Sequence, residues 1–276
     1  MKKDREFYIG WQEEMPTTTR RFLKRLVIFH FIVAPLLVAG IVWHQQRFND
    51  HRFELGQVKA ITGIYYASPV PMLYADEDAL PEGLSRSMLL VGFGKFGAES
   101  IMKDIEAKAG PLNGKRMTLS GTLIYGDGHT VMELTDKADA FVKLLTDEAA
   151  APQQAQATGR LKETGEILDP KCYFGVMKPG EGKIHKSCAI RCLSGGIPPV
   201  FKTREGGEEQ YYIVLGADGE KLNSQLLPYV GFEVLASGNT GKFLDWNLLY
   251  ISEKSLPLQL TQREQLCASP ADSLKL

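Results

Sequence analysis

The 276-residue chain has little net charge, few cysteines and only one long apolar run, and each scarcity narrows what it can be. Lys and Arg total 32 against 33 Asp and Glu, a formal net charge of −1. The chain therefore lacks the basic excess with which general nucleic-acid binders neutralise phosphates, and no nucleic-acid partner is expected. Four cysteines are too few to frame a disulfide scaffold. A single apolar run excludes a multi-span membrane protein. No Gly-x-Ser-x-Gly elbow, His-Glu-x-x-His helix, C-x-x-C-H haem attachment or paired-carboxylate pattern is present. Gly92-Phe93-Gly94-Lys95-Phe96-Gly97 lacks Walker spacing and a βαβ context, and reads as a strand end and turn. A non-catalytic role is the expectation. The rest of the composition, 44% apolar and 24% charged, is that of a folded chain, and the length suits two domains of ~100 residues with an anchor and a linker.

From Leu26 to Trp43 the chain runs without a formal charge, LVIFHFIVAPLLVAGIVW, enough as a helix to cross a bilayer with little tilt. Pro35 and Gly40 are tolerated in such segments, and Trp43 sits where an interfacial aromatic belongs. Lys2, Lys3, Arg5, Arg20, Arg21, Lys24 and Arg25 precede the run, whereas Arg47 and Arg52 come after it. The positive-inside rule then keeps residues 1–25 in the cytoplasm, makes 26–43 the transmembrane helix and exports the rest, placing a single-pass protein in a bacterial inner membrane with periplasmic domains. The alternative of a cleaved signal peptide fits less well, because the charged region is long and Val38-Ala39-Gly40 is a mediocre cleavage site. His30, inside the run, could meet a partner helix or a haem, or simply be tolerated.

Beyond the anchor a pattern occurs twice. Thr62-Gly63 is echoed by Thr164-Gly165, and Gly114 with Ser120-Gly121 by Gly231 with Ser237-Gly238. These echoes indicate a weak internal duplication, the first landmarks offset by 102 residues and the last by 117. In the first copy strands are expected at 61–68, 71–75, 87–93, 115–125 and 129–135, with a helix at 98–109; in the second, strands at 163–172, 200–203, 210–215, 231–238 and 244–251, with a helical piece at 222–229. Three strands, a helix and two strands is the order of an OB-type barrel. The expected fold is mainly β: a transmembrane helix followed by two tandem OB-like barrels, with a β-sandwich or a cupredoxin-like fold as alternatives. The domains are 53–146 and 160–252, joined by an Ala/Gln/Pro linker at 147–159 that comes after a short helix at 138–146, with a polar tail at 253–276.

Three of the four cysteines fall within 21 residues, in the connection between strands one and two of the second copy. Cys172 is expected at the end of the first strand, and a short helix begins near His185 and stops at Gly195-Gly196 before Pro198-Pro199. On it Cys188 and Cys192 are i and i+4, with His185 three residues before Cys188, all on one face. Cys172, His185, Cys188 and Cys192 are the donor set of a tetrahedral site, and soft thiolates select zinc or copper, with haem a lesser candidate. Met177 could add a thioether to copper. The competing reading is a disulfide from Cys172 to Cys188 or Cys192, which removes the need for any cofactor; distant Cys267 could take a left-over thiol, and reduced core cysteines are a third possibility. Between 169 and 192, five Lys and Arg outweigh Asp169 and Glu181, a basic loop suited to an anionic partner or to solvent. His129, in the Gly126–His129 hairpin, reads as a turn residue before a ligand.

The run DPKCYFGVMKPG…HKSCAIRCLSGGIPP resembles a motif of bacterial membrane-anchored hypothetical proteins, in which H-x-x-C-A-x-x-C and a Gly/Pro turn recur in a small β domain. The resemblance covers residues 163–250, with a looser echo in FYIG near the N-terminus, and implies export and a shared site without naming a reaction. In layout the chain is also similar to the haem chaperone of cytochrome c maturation, whose haem-binding histidine motif has no counterpart here, so that activity does not carry over. The expectation is a membrane-anchored periplasmic accessory or assembly protein of a redox or respiratory membrane complex. A periplasmic thiol-disulfide oxidoreductase, in which Cys188 or Cys192 attacks and Cys172 resolves, or a metal or haem chaperone, is the alternative.

Overall fold

The computed structural model describes residues 15–45, 50–145, 153–175, 177–205, 207–256 and 258–261. Cys267 and much of the expected linker and tail lie outside the described residues. The chain divides into two compact units, Met1–Asn49 and Asp50–Leu276.

In the first unit, helix α1 runs Thr17–Gln45, contains the whole uncharged run and buries none of its residues. At 1.5 Å per residue it is about 43 Å long, and it is apolar enough to cross a membrane. His30 turns its Nδ1 to the Leu26 carbonyl oxygen at 2.8 Å, satisfying the ring locally one helical turn back.

In the second unit the order is β1 (Arg52–Phe53), β2 (Lys59–Tyr66), β3 (Met72–Ala75), β4 (Ser87–Val91), α2 (Glu99–Ala109), β5 (Arg116–Gly126), β6 (His129–Leu134), β7 (Phe141–Leu144), β8 (Gln156–Leu168), α3 (Pro170–Tyr173), α4 (Lys186–Ser194), β9 (Val200–Glu205), β10 (Glu208–Gly216), α5 (Asn223–Leu226), β11 (Glu233–Phe243), β12 (Trp246–Ile251) and β13 (Gln259–Leu260). In the first sheet β2 pairs with β3, β3 with β4, β4 in parallel with β6, β6 with β5, and β5 back with β2, which closes a five-stranded barrel; β1 and β7 add to β5. In the second sheet the ladders run β8 to β9, β9 to β10, β10 in parallel to β12, β12 to β11 and β11 to β8, with β13 added to β11. The repeated glycines have matching surroundings. A Cβ on Gly63 would collide with the backbone of β3 at Tyr74, and one on Gly165 with the backbone of β9 at Lys202, so only glycine lets each first strand lie so close to its neighbour.

Three local expectations are corrected. Residues 137–144 are a 3₁₀ turn and then β7 rather than a helix, because Phe141–Leu144 finds an open partner in β5. Strand β8 starts at Gln156, seven residues before the expected 163; Gln156–Arg160 are all exposed and carry no alternating apolar pattern to mark them. Cys172 lies in the helical turn α3 and not on the strand, because Asp169-Pro170 is an N-cap followed by a first-turn proline.

The core has three parts, and strand periodicity sorts residues among them. On β4, Met88 and Leu90 point into the first barrel while Leu89 and Val91 join the layer between the sheets. On β10, Tyr212 and Val214 face the interior of the second sheet while Tyr211, Ile213 and Leu215 face that same middle layer. Both strands are therefore apolar on both faces, the pattern expected where each face is covered. Trp246, fully buried in the middle layer, donates its indole N–H to the Ser87 carbonyl oxygen at 2.9 Å. Buried His51 reaches the Tyr173 carbonyl and Asp127, each at 2.8 Å, and Tyr211 donates to Asp127 at 2.5 Å. These bonds, the His51 contact first, hold the Asp127 carboxyl below the usual range. His129 packs its ring against Trp246 and Phe174, with its Nδ1 on the Asp127 carbonyl oxygen; burial lowers its pKa. It fills a packing role in the turn.

Candidate metal centre

The connection from β8 to β9 is built to hold its side chains in place. Asp169, wholly buried, accepts the Cys172 backbone N–H at 2.9 Å and so fixes the turn that presents Cys172. The returning chain is tied at Gly182, whose N–H meets Glu166 Oε1 at 2.6 Å, and at Glu181, whose carboxylate meets Lys202 at 2.7 Å. His185 is the N-cap residue of α4, which carries Cys188 and Cys192 on successive turns and ends at Gly195. Asn223 then clamps the exit by donating to the carbonyls of Leu193 and Ile197, both at 2.8 Å.

These elements bring Cys172, Cys188, Cys192 and His185 together. Cys172 Sγ lies 3.8 Å from the sulfur of Cys188 and 3.8 Å from that of Cys192. That is far beyond the ~2.05 Å of a disulfide bond, and all three are free thiols. It is also the edge of a tetrahedron with metal–sulfur bonds of ~2.3 Å, which works out at about 3.8 Å. The donor atoms of Cys172, His185 and Cys188 lie within 4.8 Å of one another, and so do those of Asp169, Cys172 and Cys192; Cys172 belongs to both groups. Cys192 is fully buried, Cys172 and His185 nearly so, and Cys188 half-buried, so the cluster opens to solvent on the Cys188 side. Met177 is half-buried against the middle layer, with its backbone N–H on the Cys172 carbonyl at 3.3 Å.

The histidine supplies the best test of fit. Its Nε2 faces Asp169 Oδ2 at 3.2 Å. A carboxylate only accepts, so Nε2 carries a proton, and in the neutral ring Nδ1 holds the lone pair. That Nδ1 is buried and has no hydrogen-bond partner among the described residues. A carboxylate behind a histidine whose other nitrogen is an unshared base is the arrangement that orients metal-bound imidazoles. Two donor groups that share Cys172, one with His185 and Cys188 and the other with Asp169 and Cys192, could each hold a metal ion. Of the free thiols, that of Cys172 is pushed well up, first by its hydrogen bond to Cys192 and then by burial and the Asp169 charge.

The first barrel also reaches the cluster, through the Gly92–Gly97 loop. Lys95 Nζ lies 2.8 Å from Cys188 Sγ and 3.9 Å from Cys192 Sγ. Hydrogen bonding to Cys188 raises the lysine pKa. Lys171, buried beside Cys172, donates to the carbonyls of Gly92 and Gly94 and pairs with Glu133 at 2.5 Å, while Glu133 also accepts the Gly94 N–H at 3.0 Å. Gly97 donates to the Gly195 carbonyl at 2.9 Å, and a Cβ on Gly195 would overlap the Lys95 carbonyl oxygen. The loop is thus seated on the C-terminal end of α4, backbone against backbone. Sequence reasoning passed over Lys95, Asp169 and Glu133. The Asp-Pro cap could have pointed to Asp169, whereas nothing in the chain marks Lys95, 93 residues from its sulfur partner. Compared with known protein families, curated proteins and solved structures, the chain matches none.

Proposed function

We propose that this protein is a membrane-anchored, periplasmic accessory or assembly factor of a redox or respiratory membrane complex, holding one zinc or copper ion on Cys172, His185, Cys188 and Cys192. The observation that carries the metal reading is the joint geometry of Cys172, 3.8 Å from each of two other sulfurs, and the buried, unpartnered Nδ1 of His185. A buried, mostly sulfur donor set without an obvious substrate position suits a structural or cargo ion better than a reacting one. In this reading α1 is the anchor, with the N-terminus cytoplasmic by the positive-inside rule. The shared ladder order supports two OB-type barrels, domains 53–146 and 160–252, since both sheets join strands one, two, three, five and four in a ring with three and five parallel.

The test uses the full chain, purified in mild detergent under reductant and without chelator. Mass-spectrometric metal analysis should find about one equivalent of zinc or copper, lost in Cys188→Ser and Cys172→Ser. Metal-free protein that takes up neither ion overturns the metal reading. Recovery of a membrane complex with a tagged anchor supports the accessory role; recovery of none counts against it. A thiol-exchange site is the second reading, favoured by the ammonium of Lys95 against Cys188 with Cys172 in resolving position. It requires the metal-free, easily reoxidised outcome.

A further inference from the structure

We infer that Lys95 is an outer-sphere member of the centre: a hydrogen-bond donor, supplied by the first barrel, to the Cys188 thiolate once the ion is bound. The inference rests on reading the Cys/His cluster as a metal centre. Three thiolates and a neutral imidazole around a divalent ion carry one negative charge, before the Asp169 carboxylate is counted. An N–H donor on a ligating sulfur draws off part of that charge, and Lys95 is placed to do so at 2.8 Å on the solvent-facing ligand. Lys171, the lysine nearest in sequence to Cys172, is engaged elsewhere, on Glu133 and on the carbonyls of the Gly92–Gly97 loop.

The loop geometry supports a dedicated placement. Lys95 is itself exposed, and an exposed lysine is ordinarily free to sample many rotamers. Here its backbone is held on both flanks, by the Gly92 N–H on the Phe96 carbonyl at 2.8 Å and by Gly97 on Gly195. Lys171 clamps the same loop from the cysteine side, so the residue next to Cys172 in sequence positions the lysine that serves Cys188. The centre is thereby shared: the ligands come from one half of the unit and the charge-balancing donor from the other.

The experiment titrates the full chain in detergent with Co²⁺ as the probe, following the sulfur-to-cobalt charge-transfer absorption, and then displaces cobalt with Zn²⁺. Wild type, Lys95→Met, Lys95→Arg and Cys172→Ser are compared. In Lys95→Met the stoichiometry should hold at one, the charge-transfer band should move to lower energy because the sulfur lone pair is no longer stabilised by a donor, and Zn²⁺ affinity should fall about tenfold. Lys95→Arg should restore most of both. A Lys95→Met protein with wild-type band position and affinity overturns the role of Lys95 while leaving the metal centre standing. Wild type that shows no charge-transfer band overturns the metal reading itself, and Cys172→Ser marks the spectrum of a damaged ligand set for comparison. Circular dichroism confirms that the exposed Lys95 position tolerates each change.

Discussion

Replacing Glu166 by Gln should stabilise the protein, and by more in alkaline than in acid solution. Glu166 sits on β8 beneath the loop that carries His185, where burial first, and the nearby Glu181 charge next, push its carboxyl up from an ordinary 4.5 to about 7. In the folded protein the acid is therefore favoured protonated. Its contribution to stability is complete below about pH 4.5 and is lost as pH rises through 7, because between those values the folded state binds the proton and the unfolded state does not. At 1.36 kcal/mol per pH unit the difference approaches about 3 kcal/mol at pH 8.5, and about 1 kcal/mol has already been lost at pH 5. Gln keeps an acceptor for the Gly182 N–H and removes the charge. Urea unfolding of the full chain in detergent with chelator, followed through the fluorescence of buried Trp246, measures both proteins at both pH values. The variant should exceed wild type by about 1 kcal/mol at pH 5 and about 3 kcal/mol at pH 8.5. An equal gap at the two pH values would refute the reasoning, since it would place the buried proton elsewhere.

The geometry gives three further outcomes. Asp169→Asn keeps the cap on α3, since Asn caps as well as Asp, yet turns an amide donor toward His185 and so moves the ring proton to Nδ1; thermal stability should change by less than about 1 kcal/mol while Zn²⁺ affinity falls roughly 10- to 100-fold in a competition assay. Trp246→Phe leaves the Ser87 carbonyl without its donor and opens a void in the middle layer, which should cost about 2–4 kcal/mol in unfolding followed by circular dichroism. In reduced, chelated native protein, maleimide should alkylate Cys188 before Cys172 and Cys192, as peptide mass mapping would reveal; simultaneous labelling of all three would mean that the cluster is not packed as described.

The parts of this fold that were legible were those where sequence and structure share a period. Alternating apolar residues located β2 to β6 within two residues of their ends, and Gly195-Gly196 with Pro198-Pro199 located the end of α4. The i, i+4 spacing anticipated that Cys188 and Cys192 share one short helix, while Cys172 meets His185 and Cys188 in one group and Asp169 and Cys192 in another. The start of β8 was silent because its first five residues are exposed and, apart from the Thr158 hydroxyl on Thr240 at 2.9 Å, paired through the backbone. Lys95 was silent for a different reason: its position comes from glycine carbonyls and amides meeting across two sheets, a long-range fit that leaves no local periodicity. The Gly92–Gly97 run was visible as unusual, but its purpose lay in what it touches.

The middle layer has a consequence for the number of sites. It is built from corresponding strands on the two sides, β4 with alternate residues on one and β10 on the other, joined by Val131 of β6 and Leu248 of β12. The β8–β9 connection adds Cys172, Tyr173, Phe174, Cys192 and Ile197 to the layer from one side only, so the contact departs from the self-complementary one that two identical copies make about a two-fold axis. Two identical copies would be bound to present everything twice, a cysteine cluster and a lysine loop on each side. Within one chain each half meets only its complement, so one carries the cysteines and the other the lysine that faces them. The cysteine cluster and its lysine are then met once, on one side of the shared layer.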